Sequence, residues 1–159
     1  MQRGRSSRRT TAPRAKIPWG VTTRVVNIAA ATGTTQETEL IYQSSNVSGV
    51  TPLQKIKNIT ISLNTEAASA TPVFWALVYV PAGYAVSMLN LAPNVEMYNP
   101  RQFVIAAGSF IADADSEPVR IFTRLARKLN PGDAIFLATL SPLATAYQAI
   151  GTVRFAVKS

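Results

Sequence analysis

Between Thr22 and Lys158 the chain offers eight runs rich in Val, Ile, Thr and aromatic side chains, at 22–31, 37–43, 54–64, 71–81, 102–111, 118–126, 133–140 and 149–158. No window sustains a helical period. Such runs suit a pleated surface with one face buried, and the segments between them carry turn chemistry: Thr32-Gly33, Ser48-Gly49, Ala112 to Pro118, and Asn130-Pro131-Gly132-Asp133. The charge spacing over 120–129 would suit a helix, but Val119, Ile121, Thr123 and Leu125 alternate with Arg120, Phe122 and Arg124. Alternation predicts a strand there. Eight strands over residues 21–159 predict an all-β domain of two packed sheets, with jelly-roll wiring favoured. The rival is an immunoglobulin-like sandwich, whose buried Trp usually accompanies a cysteine pair that this chain lacks.

Charge divides the chain differently. Six of its 16 basic residues (Arg3, Arg5, Arg8, Arg9, Arg14 and Lys16) precede Trp19, whereas the first acid is Glu37. Without that start, ten basic residues face eight acidic ones, so the body is near neutral. Residues 1–20 hold Gly4, Pro13, Pro18 and Gly20 among Arg, Ser and Thr. They offer too little apolar surface to offset the entropy of ordering, which predicts a disordered basic arm. Its partner is expected to be a polyanion, because guanidinium stays charged and forks onto phosphate oxygens. No aromatic residue interleaves the arginines, so the arm predicts contacts to phosphates rather than bases. Trp19 and Ile17 are candidates to anchor its end on the body. A mitochondrial presequence would also be basic and free of acids, but residues 2–11 contain nothing to form an apolar helical face.

Several function classes find little footing. Histidine and cysteine are both absent, which removes the usual general base, the commonest metal ligands and any disulfide. Serines and threonines therefore lack an activating partner, and neither an enzyme nor a cofactor is expected. The longest apolar run, Val73 to Ala82, is of strand length, and the basic start leads into Ser, Thr and Pro rather than a signal-type apolar segment. Two glycosylation sequons, Asn46-Val47-Ser48 and Asn58-Ile59-Thr60, would stay unused without a secretory route. Asp113, Asp115 and Glu117 alternate in one loop as candidate calcium ligands, but that loop lacks the glycine and length of an EF-hand, and a solvated acidic loop is the ordinary reading.

The segment from Pro81 to Arg101 is long for a connection in a compact domain, and it carries Tyr84, Val86, Met88, Leu89, Leu91, Met97 and Tyr98. Val73 to Val80 before it is apolar on both faces and needs cover on each. The segment is expected either to fold back over its own sheet or to meet another subunit. The second is preferred, with Tyr84, Met88, Leu89, Leu91, Met97 and Tyr98 as interface candidates.

Three stretches, "WALVYVPAGY" (75–84), "YNPRQFVIAAGSF" (98–110) and "RIFTRLARKLNPGDAIFL" (120–137), together with the Arg-rich start, resemble the capsid proteins of small circular single-stranded DNA viruses of the circovirus and nanovirus kind. Satellite RNA virus coat proteins are similar in size and design. The resemblance implies strands B to I in two sheets, B-I-D-G and C-H-E-F, with the first facing the genome. It also implies a 60-subunit T=1 icosahedral shell, packaging of single-stranded DNA, residence in the virion and, during assembly, the host nucleus. Nuclear import receptors would then read the arm.

With the runs taken in order, cations fall on B (Arg24), D (Lys55, Lys57), G (Arg120, Arg124) and I (Arg154, Lys158), whereas C carries Glu37 and Glu39 and H carries Asp133. These seven basic residues join the arm as candidate nucleic-acid contacts. Lys57 has the parity of Ile59, Ile61 and Leu63, and a bulge near Asn58 would restore it to the outer face. The rival functions are a ribosomal or chromatin protein, which would spread cations over the folded surface, and a jelly-roll lectin or enzyme, which would show a binding constellation.

Overall fold

The computed structural model describes residues 18–33, 36–45, 53–86, 103–115 and 117–158. Among these residues lie nine strands: β1 (Gly20–Ala30), β2 (Gln36–Gln43), β3 (Gln54–Ala67), β4 (Thr71–Val80), β5 (Phe103–Ala112), β6 (Val119–Thr123), β7 (Arg127–Leu129), β8 (Ala134–Leu140) and β9 (Tyr147–Lys158). All pairings are antiparallel. One sheet runs β1-β9-β3-β6, with β7 also on β3, and the other runs β2-β8-β4-β5. With β1 to β6, β8 and β9 read as B to I, these are the jelly-roll sheets B-I-D-G and C-H-E-F.

Alternation builds the core. Val26 and Ile28 of β1, Ile59, Ile61 and Leu63 of β3, Ile121 of β6, and Val153 and Phe155 of β9 point inward from the first sheet. Val73 and Leu77 of β4, and Ile135 and Leu137 of β8, meet them from the second. Tyr42 of β2 joins the layers by packing edge-on against Phe155, with ring centroids 5.3 Å apart. Close strand approach is bought at Gly151: a Cβ there would stand 1.8 Å from the Ser62 carbonyl oxygen of β3.

The outer face of the second sheet is covered too. Ala76, Val78 and Val80 are buried away from the main core, with Val86 and Phe136 packed against them. The chain just after β4 therefore folds back on its own sheet as far as Val86, which is the alternative not preferred on sequence. Tyr84 is exposed. Met88, Leu89, Leu91, Met97 and Tyr98 lie outside the described residues.

The expected strand over 118–126 needs correction. β6 ends at Thr123, whose hydroxyl accepts a hydrogen bond from the Leu125 amide at 3.2 Å, and Leu125 is exposed instead of sharing the inner face with Ile121. Pairing resumes in β7. The break coincides with a register change on β3: Lys57 pairs with Ala156 but Thr60 with Arg154, one residue too many on β3. Asn58 supplies it in the left-handed region, at φ 53°. The bulge returns Lys55 and Lys57 to the outer face, as their charge requires.

The turn into β8 locks several elements. Asn130-Pro131-Gly132-Asp133 closes with the Asp133 amide donating to the Asn130 carbonyl at 3.0 Å, and Gly132 takes the positive φ of 86° that a type II turn demands. The buried Asp133 carboxylate accepts from Tyr79 Oη at 2.6 Å, the Ala82 amide at 3.0 Å and the Asn130 amide at 2.7 Å. The Ser44 amide donates to the Asp133 carbonyl, and the Ser44 hydroxyl to the Asn130 carbonyl, so the end of β2 is tied in as well.

Candidate nucleic-acid interface

Outward positions of the first sheet fall into cross-strand rows, because residues opposite each other share a face. Lys158 of β9 pairs with Lys55 of β3, and Lys55 pairs with Lys128 of β7, so three lysines stand opposite one another across three strands. The next outward pair is Lys57 with Ala156. The row after that runs Thr23, Arg154, Thr60 and Phe122, and the following one Val25, Thr152, Ser62 and Arg120. Arg124, exposed just beyond β6, places its guanidinium 5.8 Å from the Phe122 ring centroid. Lys55, Lys57, Arg120, Arg124, Lys128, Arg154 and Lys158 thus gather at one end of one sheet face.

Like charges directly opposite in a sheet cost stability, and solvent screens them only in part. Three aligned lysines are therefore a poor arrangement for an isolated sheet and a good one for a polyanion. The acid on this face, Glu66 of β3, pairs with Gln148 at the far end of the strands. It lies about 35 Å along β3 from Lys55, several Debye lengths away at physiological salt.

The arm attaches at the basic end. Gly20 opens β1 opposite Val157, next to Lys158, and the half-buried Trp19 lies under Lys57, whose Nζ is 4.0 Å from the ring centroid. Trp19, one of the two residues expected to anchor the arm, is thus in contact with the body. Ile17 and the arm cations Arg3, Arg5, Arg8, Arg9, Arg14 and Lys16 lie outside the described residues.

Arg24 is separated from the group. It has the inward parity of Val26 and Ile28, lies where β1 runs past the core, and donates from Nη1 to the Ile41 carbonyl of the opposite sheet at 3.1 Å. It bridges the sheets rather than joining the outer face. Lys128 was missed from sequence because a continuous strand over 118–126 left it in a turn. Asp133, counted with the second sheet, is caged before β8 begins. Burial by itself would raise its pKa, but the hydrogen bonds from Tyr79, Ala82 and Asn130 outweigh that and hold it below the usual carboxylate value. Burial first, then the bond to Asp133, pushes the Tyr79 hydroxyl up to about 12. Asp113, Asp115 and Glu117 do not converge, and no cluster of such ligands suited to a metal ion occurs among the described residues.

No protein-family model matches the sequence, and no curated protein matches it. Solved structures with similar folds include a chain of infectious bursal disease virus, Gx strain, at 14% identity and a TM-score of 0.39, covering 84% of this chain and 32% of that one. A second is from Desmodium yellow mottle tymovirus, at 13% identity and a TM-score of 0.31, covering 96% of this chain and 95% of that one. The chain spans about a third of the length of the bursal disease virus chain.

Proposed function

We propose that the chain is a viral coat protein that self-assembles into a small icosahedral shell and packages its genome through the basic arm and the cationic end of the β1-β9-β3-β6 face. One observation carries this reading: the jelly-roll strand order places seven cations on one sheet face, at the end where the Arg-rich segment joins β1. The resemblance noted from sequence favours 60 subunits, T=1 geometry and a single-stranded DNA genome, with a satellite-type RNA genome as the alternative. The role is structural and not enzymatic, the location is the virion, and the arm doubles as a nuclear import signal during assembly. Subunit contacts are assigned to Tyr84, Met88, Leu89, Leu91, Met97 and Tyr98.

A cellular nucleic-acid-binding protein is the second reading, and the cationic face favours it more than the body's near-zero net charge suggested. Assembly separates the two. Negative-stain microscopy of the purified full chain is expected to show uniform small spheres, with absorbance at 260 nm that survives nuclease. Persistent monomers or dimers across salt and pH would sink the coat-protein reading. Replacing Met88 and Leu89 together with Asp is expected to leave folded subunits that sediment without assembling.

A further inference from the structure

The Asn58 bulge does more than restore parity. Because Lys57 pairs with Ala156 and Thr60 with Arg154, two residues of β3 oppose Phe155 alone and the ladder opens. A cleft of about 250 Å³ lies there on the outer face, walled by Val21, Asn58, Thr60, Arg154 and Ala156. Thr60 also pairs with Phe122 on its other side, so Arg154 and Phe122 stand two strand spacings apart, about 10 Å. Phe122 stands on the outer face of the edge strand β6, 56% exposed, and it sits between Arg120 and Arg124. A larger cleft on this sheet, about 390 Å³, is walled by Asn64, Glu66 and Gln148 among others, without a cation, and its charge would repel a phosphate.

We infer that the bulge cleft and Phe122 together form a nucleotide subsite selective for single strands, in which an unpaired base stacks on the Phe122 ring while Arg154 holds the adjoining phosphate. The inference rests on the reading of this face as a nucleic-acid interface and adds what the charges alone cannot supply. Phosphate contacts are available to single strands and duplexes alike. A ring standing out from a sheet engages only a base whose face is free, and every base has one, so the subsite distinguishes strandedness and not sequence. The exposed ring is open to a planar group, and Arg124, whose guanidinium lies 5.8 Å from the ring centroid, places a cation beside any stacked base. Oligothymidine and oligouridine should bind alike, since nothing in the cleft depends on a ribose hydroxyl.

The test uses dissociated subunits of the full chain and fluorescence anisotropy with labelled oligothymidine, oligouridine and a DNA duplex of matched phosphate number. The wild-type chain should prefer both single strands to the duplex. Phe122→Leu should weaken single-strand binding about tenfold, the worth of one stacked base, and leave duplex binding and the salt slope unchanged. Phe122→Trp should hold or strengthen it, which keeps the test decisive if the Leu variant folds poorly. Arg154→Gln should lower the log–log salt slope by about 0.7, one phosphate contact on a single strand. Equal wild-type affinity for single strands and duplex, or single-strand binding untouched by Phe122→Leu, overturns the subsite. Either result leaves the basic face standing, which fails separately if removing the Lys55, Lys128 and Lys158 charges does not change the salt slope.

Discussion

Asp133 shows how one side chain can hold three segments together. Its carboxylate, itself buried, receives Tyr79 from β4, Ala82 from the following turn and Asn130 from the turn before β8. Asp133→Ala would strand those donors and should cost about 3 kcal/mol, read from urea unfolding at neutral pH. The pH signature is specific. A carboxyl held below its unfolded value, near 3.8, contributes stability that is fully present above that pH and lost as pH falls through the folded value. Asp133→Asn should therefore be less stable than wild type at pH 7 and lose less on acidification below pH 4. Tyr79 has the opposite sign: raised to about 12 from 10.0, it contributes below pH 10 and that contribution disappears as pH climbs towards 12. Tyr79→Phe should flatten that alkaline limb.

Strand pairing, rather than any one strand, makes the candidate interface. Lys158, Lys55 and Lys128 come from β9, β3 and β7 and meet only because the register aligns them. Replacing all three with Gln is expected to move two measurements in opposite directions. The free subunit should gain roughly 1 kcal/mol in denaturant unfolding as repulsion is relieved. Single-strand affinity should fall, with the salt slope shallower by about 2 for three lost phosphate contacts. A variant that loses stability instead would mean that the lysines are partnered structurally. The bulge has its own test. Asn58 tolerates the left-handed region better than most residues, so Asn58→Gly should be near neutral and Asn58→Ala should cost about 1 kcal/mol.

At the scale of the molecule, the cationic stretch of sequence before Trp19 leads into the sandwich at the end of the sheet where the cationic face lies. Deleting residues 1–16 removes six of 16 positive charges. If all six contact a single strand, filter binding should show a salt slope shallower by about 4. The residual slope then measures the face. The melting temperature of the body should stay within a degree or two, because that segment of Arg, Ser, Thr and Pro offers little apolar surface to bury. Unchanged affinity after truncation would assign binding to the folded surface alone and strengthen the cellular alternative.

Local pattern was enough to place eight of the nine described strands and most of their inward residues, because period-two alternation and turn residues are properties of neighbouring positions. Each of the eight expected runs overlaps a strand, and the parity fault at Lys57 pointed to the bulge at Asn58. Charge asymmetry along the chain was legible in the same way. What the sequence could not carry was which residues from different strands stand opposite each other. The bulge shifts β3 by one position against β9, β6 ends at Thr123 beside it, and pairing resumes at β7, which makes Lys128 the third lysine of a row. Arg24 has the composition of an interface residue, yet β1 aims it at the other sheet. Phe122 read as one more strand aromatic until its neighbours proved to be Arg124 and the cleft beside Thr60. Each of these depends on register between strands far apart in the chain, and register is set by bulges and packing across the whole sandwich rather than by any window of residues.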